Sequence, residues 1–269
     1  MKPFCLGVVA LLSTVFVVSY ANAQDSRDFS KTVPLKANGE VIIDTYKGSI
    51  KVSTWDKPQV EILATIEADD AFDSDDAEEK VRDTEVRVDA TESRVRIKTD
   101  YDNIHERRHS FWSWFDDDRG SLPLVHYTIH MPATASLNIK DYKSRSSVQD
   151  LRSDLVFNSY KGEVEITNLV GSLKLETYKG EAKVEFNMMK ERCNCETYKG
   201  SITLALPKSA GFNLDADLGY RTHFSTDFEV ELETHGRHHS NSEYHGPVNG
   251  GGSSLVLRST KGNIRLRQR

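Results

Sequence analysis

The feature that most constrains the fold of this 269-residue chain is a short phrase that recurs along it. Its centre is Tyr-Lys-Gly, preceded by Thr, Ser or Asp and flanked by residues that alternate between apolar and polar. A fixed period is typical of architectures in which each repeat adds one structural unit to a stack. The later copies have such a period, because their tyrosines, Tyr142, Tyr160, Tyr178 and Tyr198, follow at steps of 18, 18 and 20 residues.

Alternation on both sides of the phrase predicts two short strands joined by a corner. In one copy, Leu173 and Leu175 point to one side before the corner, and Ala182 and Val184 continue the pattern after it. A single copy cannot bury this apolar face alone, but stacked copies can. Glycine marks the corner in most copies, where we expect the positive φ that only glycine adopts freely: Gly48, Gly162, Gly180, Gly200 and Gly262.

Two ways of stacking the copies compete. A hairpin meander would be antiparallel and would not require identical residues to lie side by side, whereas a parallel solenoid places every tyrosine above a tyrosine. We therefore predict an all-β fold, a right-handed parallel β-solenoid with about 18–22 residues per coil. Tyr220 is interpreted as part of a degenerate coil, and the copy at Lys261, which lacks the tyrosine, as the one that closes the array.

The remaining sequence indicates how the chain is organised. Residues 1–23 combine a lysine, an apolar run and Ala21-Asn22-Ala23, the pattern of a signal peptide with its cleavage site; a retained membrane anchor is the alternative. Residues 24–131 hold the first copy, two-faced strands, an irregular insert and a short helix predicted around Asp75–Asp83. Residues 132–269 hold the solenoid repeats, continuous with the preceding portion.

Charge and hydropathy narrow the class of protein. The formal net charge is −6, so the chain is not built to bind nucleic acid over its surface. Beyond the signal peptide no stretch has the roughly 18 apolar residues that cross a bilayer, so we expect no stable membrane span after cleavage. The expected location is outside the cytoplasm, in the periplasm or at the cell surface.

Two cysteines follow the predicted signal peptide. Cys193 and Cys195 align with Leu173 and Leu175 of the preceding copy, which are core positions. Strand residues two apart are about 6.6 Å apart at Cα, near the upper limit for a disulfide. We therefore predict buried thiols, with a redox pair or half of a metal site as the alternatives.

Histidines and aromatic residues outside the repeats raise two further hypotheses. The histidines resemble metal ligands in spacing, but a glycine-rich loop is more often a surface loop, so we predict neither metal nor cofactor. The aromatic residues are expected to plug one end of the solenoid or, alternatively, to anchor a partner. The histidines are His235, His238, His239 and His245 in one loop with His126 and His130 on one strand, and the aromatic residues are Phe111, Trp112, Trp114 and Phe115.

Catalysis would require a local departure from the repeat. Parallel β-helices include carbohydrate-active lyases and glycosidases, which use a localised pair of carboxylates or a calcium site. The outward acids of this chain recur with the repeat, as Glu163 and Glu181 do, which is typical of a solvated face. We therefore predict no enzymatic activity, with a carbohydrate-active β-helix enzyme as the alternative.

The chain resembles a known family. The strand "YTIHMPATASLNIK" with its proline before the first full coil, and the serial turns ending in glycine, are similar to the bacterial β-strand-repeat family of unknown function called "putative adhesin". The resemblance extends from about Val33 to Arg269. It implies an exported cell-envelope protein with adhesin-like binding or a scaffold role.

The repeat itself supplies the candidate binding site. Coils stacked about 4.8 Å apart would align the tyrosines and the lysines that follow them into one stripe. One interpretation is that the stripe binds an anionic envelope glycan or another envelope protein. The alternative is that nearby glutamates neutralise these lysines. The glutamates are Glu163, Glu176, Glu181 and Glu196. The tyrosine–lysine stripe comprises Tyr142, Lys143, Tyr160, Lys161, Tyr178, Lys179, Tyr198 and Lys199.

Overall fold

The structure, a computed structural model, describes residues 26–69, 74–105, 122–230 and 242–269. Within these ranges sixteen strands form one hydrogen-bonded sheet around an apolar core, accompanied by helices α1 (Ser74–Asp83) and α2 (Asp102–His105). The strands are β1 (Ser26–Pro34), β2 (Glu40–Asp44), β3 (Lys47–Trp55), β4 (Gln59–Glu67), β5 (Glu85–Ala90), β6 (Arg94–Asp100), β7 (Leu124–Pro132), β8 (Ser136–Asp141), β9 (Lys143–Gln149), β10 (Leu155–Ser159), β11 (Glu163–Thr177), β12 (Glu181–Thr197), β13 (Ser201–Leu206), β14 (Phe212–Thr226), β15 (Ser242–Val248) and β16 (Ser253–Gln268).

The repeats stack in parallel and in register. Leu155 in β10 pairs with Leu137 in β8 on one side and with Leu173 in β11 on the other. The same column continues through Cys193 in β12 to Leu255 in β16. Each inward side chain therefore lies on its equivalent in the next coil, which confirms the parallel stacking of the repeats and contradicts a meander. The right-handedness stays a prediction.

The prediction of a solenoid that is parallel throughout is wrong, because the sheet is mixed. At one end β1, β4 and β7 pair antiparallel, as do β5 and β6; at the other end β14 and β15 do so. A parallel stack leaves unpaired strand edges at its ends. A strand that returns through a short turn, such as residues 91–93 between β5 and β6, can pair only antiparallel and covers that edge.

The C-terminal strand lies inside the stack. β16 pairs with β12 and β13 on one side and with β14 on the other, always in parallel. The expectation that the copy at Lys261 closes the array is therefore wrong, because the coil that contains Tyr220 lies beyond it. After β13 the chain first passes outward to β14, and β15 returns it along the outer edge of β14. β16, the last strand of the chain, then lies between β13 and β14.

The parts outside the repeats match the predictions unevenly. α1 (Ser74–Asp83) confirms the helix predicted around Asp75–Asp83, whereas α2 lies where irregular structure was expected. The predicted signal peptide (residues 1–23), the aromatic cluster (residues 111–115) and the histidines at 235, 238 and 239 lie outside the described residues.

Candidate binding stripe

The tyrosine–lysine stripe lies along a row of corners, three of which have the same hydrogen-bonded turn. The residue before the tyrosine is buried, and its hydroxyl oxygen accepts a hydrogen bond from the backbone N–H three residues later. This turn leaves the two intervening side chains, the tyrosine and the lysine, pointing outward. The N–H and oxygen pairs are Gly162 with Ser159 (2.9 Å), Gly180 with Thr177 (3.2 Å) and Gly200 with Thr197 (2.8 Å).

Glycine is required at these corners mainly because neighbouring coils approach closely. A Cβ atom on Gly180 would lie 1.9 Å from the carbonyl oxygen of Gly162, and one on Gly200 would lie 2.3 Å from that of Gly180. Of the five corner glycines, only Gly48 (φ 129°) and Gly262 (φ 119°) have positive φ. The expectation of positive φ at Gly162, Gly180 and Gly200 is therefore wrong, although the residue choice still has a steric cause.

The tyrosines form a continuous stack of rings. Tyr46 of the first copy extends the four rings predicted from the repeat, and Tyr101 packs edge-on against Tyr46 at 6.4 Å. Stacking leaves the inner ring faces covered, so the ladder presents mainly ring edges and hydroxyl groups to solvent. Successive ring centroids are separated by 4.5 Å (Tyr46–Tyr142), 4.9 Å (Tyr142–Tyr160), 4.6 Å (Tyr160–Tyr178) and 4.8 Å (Tyr178–Tyr198), with interplanar angles of 2° to 13°.

The lysines form a second row beside the rings. Backbone hydrogen bonds keep the row in register, since the N–H of Lys161 donates to the carbonyl of Tyr142 at 2.8 Å and that of Lys179 to Tyr160 at 3.0 Å. The ammonium of Lys161 lies 5.4 Å from the centroid of Tyr160, and that of Lys199 lies 5.4 Å from Tyr198. These are cation–π distances, so Lys161 and Lys199 are held near their own rings, and both remain exposed.

Three of the four proposed glutamate partners pair with other cations, and Glu196 forms no ion pair within the described residues. Glu163 pairs with Arg145 at 3.0 Å, Glu181 with Lys183 at 3.3 Å and Glu176 with Lys174 at 2.8 Å. Among the described residues, no carboxylate lies within 4.0 Å of the ammonium groups of the four stripe lysines, Lys143, Lys161, Lys179 and Lys199.

The first copy shows how close these positive charges are. Lys47, which precedes Lys143 in the row, is paired with Asp69. Burial and then the charge of Lys143 lower the pKa of Lys47 below its usual value. Like charges in adjacent coils therefore affect each other, and the first copy has an acidic partner that the later copies lack among the described residues.

One coil departs from the repeat inside the corner. Asp141 stands where other copies have Thr or Ser, and Ser144 and Ser146 stand where the next copy has Gly162 and Val164. Asp141 Oδ2 accepts hydrogen bonds from the N–H of Ser144 (2.9 Å) and from Ser159 Oγ (3.0 Å), but its buried Oδ1 has no donor among the described residues. Burial raises the pKa of the Asp141 carboxyl. This buried polar group was missed in the sequence, although Asp in place of Thr was its signal.

The cysteines are buried free thiols, as predicted. Cys193 and Cys195 are each fully buried and form no disulfide. Burial raises the pKa of the Cys193 thiol to about 12 and that of Cys195 well above its usual value.

Three of the described histidines lie close to acidic side chains. His130 Nδ1 lies 3.1 Å from Glu61, and His126 Nε2 lies 3.5 Å from Glu67. His245 lies 3.4 Å from Asp215. Within the described ranges, no group of three or more His, Cys, Asp or Glu side chains could hold a metal ion.

A shallow cleft of about 480 Å³ lies at the other end of β3, lined by Trp55, Lys57, Asp150 and Arg152 among others. Its indole already has protein partners, since Nε1 donates to the carbonyl of Gln59 at 2.8 Å and His130 stacks on the ring at 5.4 Å. The cleft is therefore a weaker candidate than the stripe.

Comparison with known proteins places this architecture in a family. Residues 32–267 match the profile of the family described as Toastrack DUF4097. This range agrees with the extent of the resemblance found in the sequence. Among proteins with curated descriptions, none matches significantly. In the described part of the chain, neither helix is long and apolar enough to span a bilayer.

Solved structures with a similar course of the chain share little sequence with it. A "putative cell adhesion protein" from Clostridium sporogenes is 12% identical with a TM-score of 0.46, covering 90% of this chain and 100% of that one. A "putative adhesin" from Bacteroides fragilis is 11% identical with a TM-score of 0.44, covering 89% and 97%. A "putative adhesin" from Parabacteroides distasonis is 10% identical with a TM-score of 0.30, covering 90% and 98%.

Proposed function

The chain belongs to the Toastrack DUF4097 family, and we propose that it is an exported, non-enzymatic protein of the cell envelope with an adhesin-like role. Its binding site is the tyrosine–lysine stripe, and its ligand is an anionic polymer such as an acidic envelope glycan. The observation that carries the proposal is the row of four exposed lysines, one per coil, that no described carboxylate neutralises.

Such a row has an energetic cost in the free protein. Two unit charges about 4.8 Å apart in water repel each other by roughly 0.9 kcal/mol before salt screening. A polymer with regularly spaced negative charges would remove this repulsion along the whole row at once. The free energy of binding would therefore include relief of the repulsion as well as the new attraction.

The tyrosine ladder supports an anionic rather than a neutral ligand. A neutral sugar is commonly held against the face of an aromatic ring, but the inner rings of the ladder cover one another at 4.5–4.9 Å. The phenol hydroxyls can donate hydrogen bonds, and the ammonium groups supply positive charge. The stripe thus offers donors and cations at a repeat of one coil.

The outward acids support a binding role in preference to catalysis. Glu163, Glu176 and Glu181 each engage a cation of the same surface, and they recur from coil to coil. A glycosidase needs two carboxylates with different environments at one place. Export rests on the sequence of residues 1–23, which has the pattern of a signal peptide.

The test compares two triple variants of residues 24–269 that lose the same charge. The stripe variant carries Lys161→Gln, Lys179→Gln and Lys199→Gln. Binding to oligogalacturonate is measured by calorimetry at low and high salt, with a neutral dextran as the control ligand. The matched control variant carries Lys174→Gln, Lys183→Gln and Lys190→Gln, which are exposed lysines outside the stripe.

We expect the stripe variant to bind at least tenfold more weakly, about 1.4 kcal/mol, while the control variant keeps most of its affinity. The native affinity should fall as salt rises, since exposed charges are screened. Equal losses in both variants would mean that only net charge matters. Native binding by the stripe variant would place the site elsewhere.

A further inference from the structure

The tyrosine ladder has a missing rung. Ser259 pairs with Thr197, and the N–H of Lys261 donates to the carbonyl of Tyr198 at 2.9 Å, as that of Lys199 does to Tyr178. Thr260 therefore occupies the tyrosine column directly beyond Tyr198. It is exposed, and its side chain is much smaller than a phenol ring.

The column resumes in the next coil. β14 pairs with β16 so that Arg221 lies beside Lys261, and a bulge places both Gly219 and Tyr220 opposite Thr260. Gly219 approaches so closely that a Cβ on it would lie 2.4 Å from the carbonyl oxygen of Thr260. Tyr220 thus precedes Arg221 as each ladder tyrosine precedes its lysine. The order along the column is Tyr198, Thr260, Tyr220.

The spacing of the ladder predicts a gap with the width of one ring. Two ladder steps of 4.5–4.9 Å would separate the rings of Tyr198 and Tyr220 by about 9–10 Å, which is the space that a tyrosine at position 260 would fill. Both bordering rings are accessible, since Tyr198 is 37% exposed and Tyr220 is 57% exposed. We call the space between Tyr198 and Tyr220, above Thr260, the ring slot.

Three cations lie near the two rings that border the ring slot. The ammonium groups of Lys199 and Lys261 lie 5.4 Å and 6.0 Å from the centroid of Tyr198, and the guanidinium of Arg221 lies 5.2 Å from that of Tyr220. Within the described part of the chain, none of the three has a carboxylate within 4.0 Å. The slot therefore combines two aromatic faces with unpaired positive charge.

We propose that the ring slot binds one sugar-acid ring of the anionic glycan, and so fixes the position of the polymer on the stripe. The inference rests on the proposed function and assigns the ligand as a glycan that contains uronic acid. A pyranose ring has two faces of C–H groups, which suit Tyr198 and Tyr220. Its carboxylate lies at the rim of the ring, within reach of Lys261 and of the Arg221 guanidinium, which can bind a carboxylate with two parallel hydrogen bonds.

The ladder itself offers the blocking variant. Thr260→Tyr supplies the missing ring from the protein, so it should fill the slot and stack on Tyr198. Thr260→Ala is the matched control, because it changes the same residue but leaves the slot open. Tyr220→Ala removes one wall at an exposed position. Each variant of residues 24–269 is titrated with trigalacturonate by calorimetry and checked by thermal unfolding.

We expect Thr260→Tyr to raise the unfolding midpoint and to weaken trigalacturonate binding at least tenfold. Tyr220→Ala should weaken it similarly, and Thr260→Ala should bind as the native protein does. If Thr260→Tyr binds as tightly as the native protein, the slot is not a binding site.

Separate results identify the failure of each proposal. If the triple stripe variant loses oligogalacturonate binding while Thr260→Tyr keeps it, the proposed function stands and the ring slot is overturned. If the native protein binds neither uronate ligand, both fail. A third outcome is that the native protein binds an aryl sulfonate but not trigalacturonate, and that Thr260→Tyr abolishes the sulfonate binding. In that case the assignment of a sugar acid is wrong.

Discussion

Replacing Gly180 with alanine tests whether the close approach of coils is what requires glycine at the corners. The added Cβ would lie 1.9 Å from the carbonyl oxygen of Gly162, whereas an ordinary contact needs 3.4 Å or more. The atom in the way belongs to the backbone and cannot rotate aside. The two coils must therefore separate locally by about 1.5 Å, the difference between 1.9 and 3.4 Å.

That separation disturbs the hydrogen bonds on both sides of the corner. The N–H of Lys179 donates to Tyr160 at 3.0 Å and that of Tyr178 to Ser159 at 3.1 Å. Each such bond contributes about 0.5–1.5 kcal/mol, and overpacking costs about 1–3 kcal/mol. We expect Gly180→Ala to lower the free energy of unfolding by about 2–6 kcal/mol, a large part of the roughly 5–15 kcal/mol typical of a domain.

Urea unfolding followed by circular dichroism measures this loss, with Lys179→Ala as the neighbouring control at an exposed position. The control should change stability by less than about 0.5 kcal/mol. A loss for Gly180→Ala no larger than that of the control would refute the steric argument, because without a clash the reduced entropy of the unfolded chain would make the alanine variant more stable by about 0.4–1 kcal/mol.

Three other changes test the buried positions. Asp141→Thr restores the residue type of neighbouring coils and should stabilise by about 1–3 kcal/mol at neutral pH, since it removes an oxygen buried without a donor. Because burial raises the folded-state pKa of Asp141 above its unfolded value, the cost of the buried carboxylate is full above the folded pKa and fades as pH falls through it, so the gain in melting temperature should shrink in acid; a constant gain would contradict this. Cys193 and Cys195 should react slowly with a thiol reagent in native protein and give two thiols after denaturation, and replacing both with alanine should cost roughly 1 kcal/mol each; a bridge between them found by mass spectrometry would contradict this. Leu175→Asp should cost several kcal/mol while Lys174→Asp is tolerated, and equal melting temperatures would refute the register.

The parts of the fold that sequence predicted are those that one repeat imposes on the next. Leu173 and Cys193 were aligned by the period alone, and they are register partners in the structure. Parallel stacking makes every column of equivalent residues a column in space. The burial of both cysteines and the tyrosine ladder follow from that one property.

The ends of the stack could not be predicted in the same way. Antiparallel partners such as β5 and β15 lack the repeated phrase, because they cover an edge instead of adding a coil. The reason for glycine at position 180 could not be predicted either. A close approach between coils and a positive φ both require glycine, so the sequence does not distinguish them. Alternation specifies which face is buried but not which strand lies at an edge.

The position of a coil in the stack determines what the loss of its tyrosine does to the ladder. In sequence, Thr260 is the last copy of the phrase, and its lost tyrosine indicates only the decay of a terminal repeat. In the structure β16 lies between β13 and β14, so Thr260 has Tyr198 on one side and Tyr220 on the other. A tyrosine missing from the end of a ladder would leave one open ring face, whereas one missing from its interior leaves two faces opposed across the width of a ring. On this proposal, the insertion of the C-terminal strand turns a weakened repeat into a place on the stripe where a ligand ring can be held on both sides.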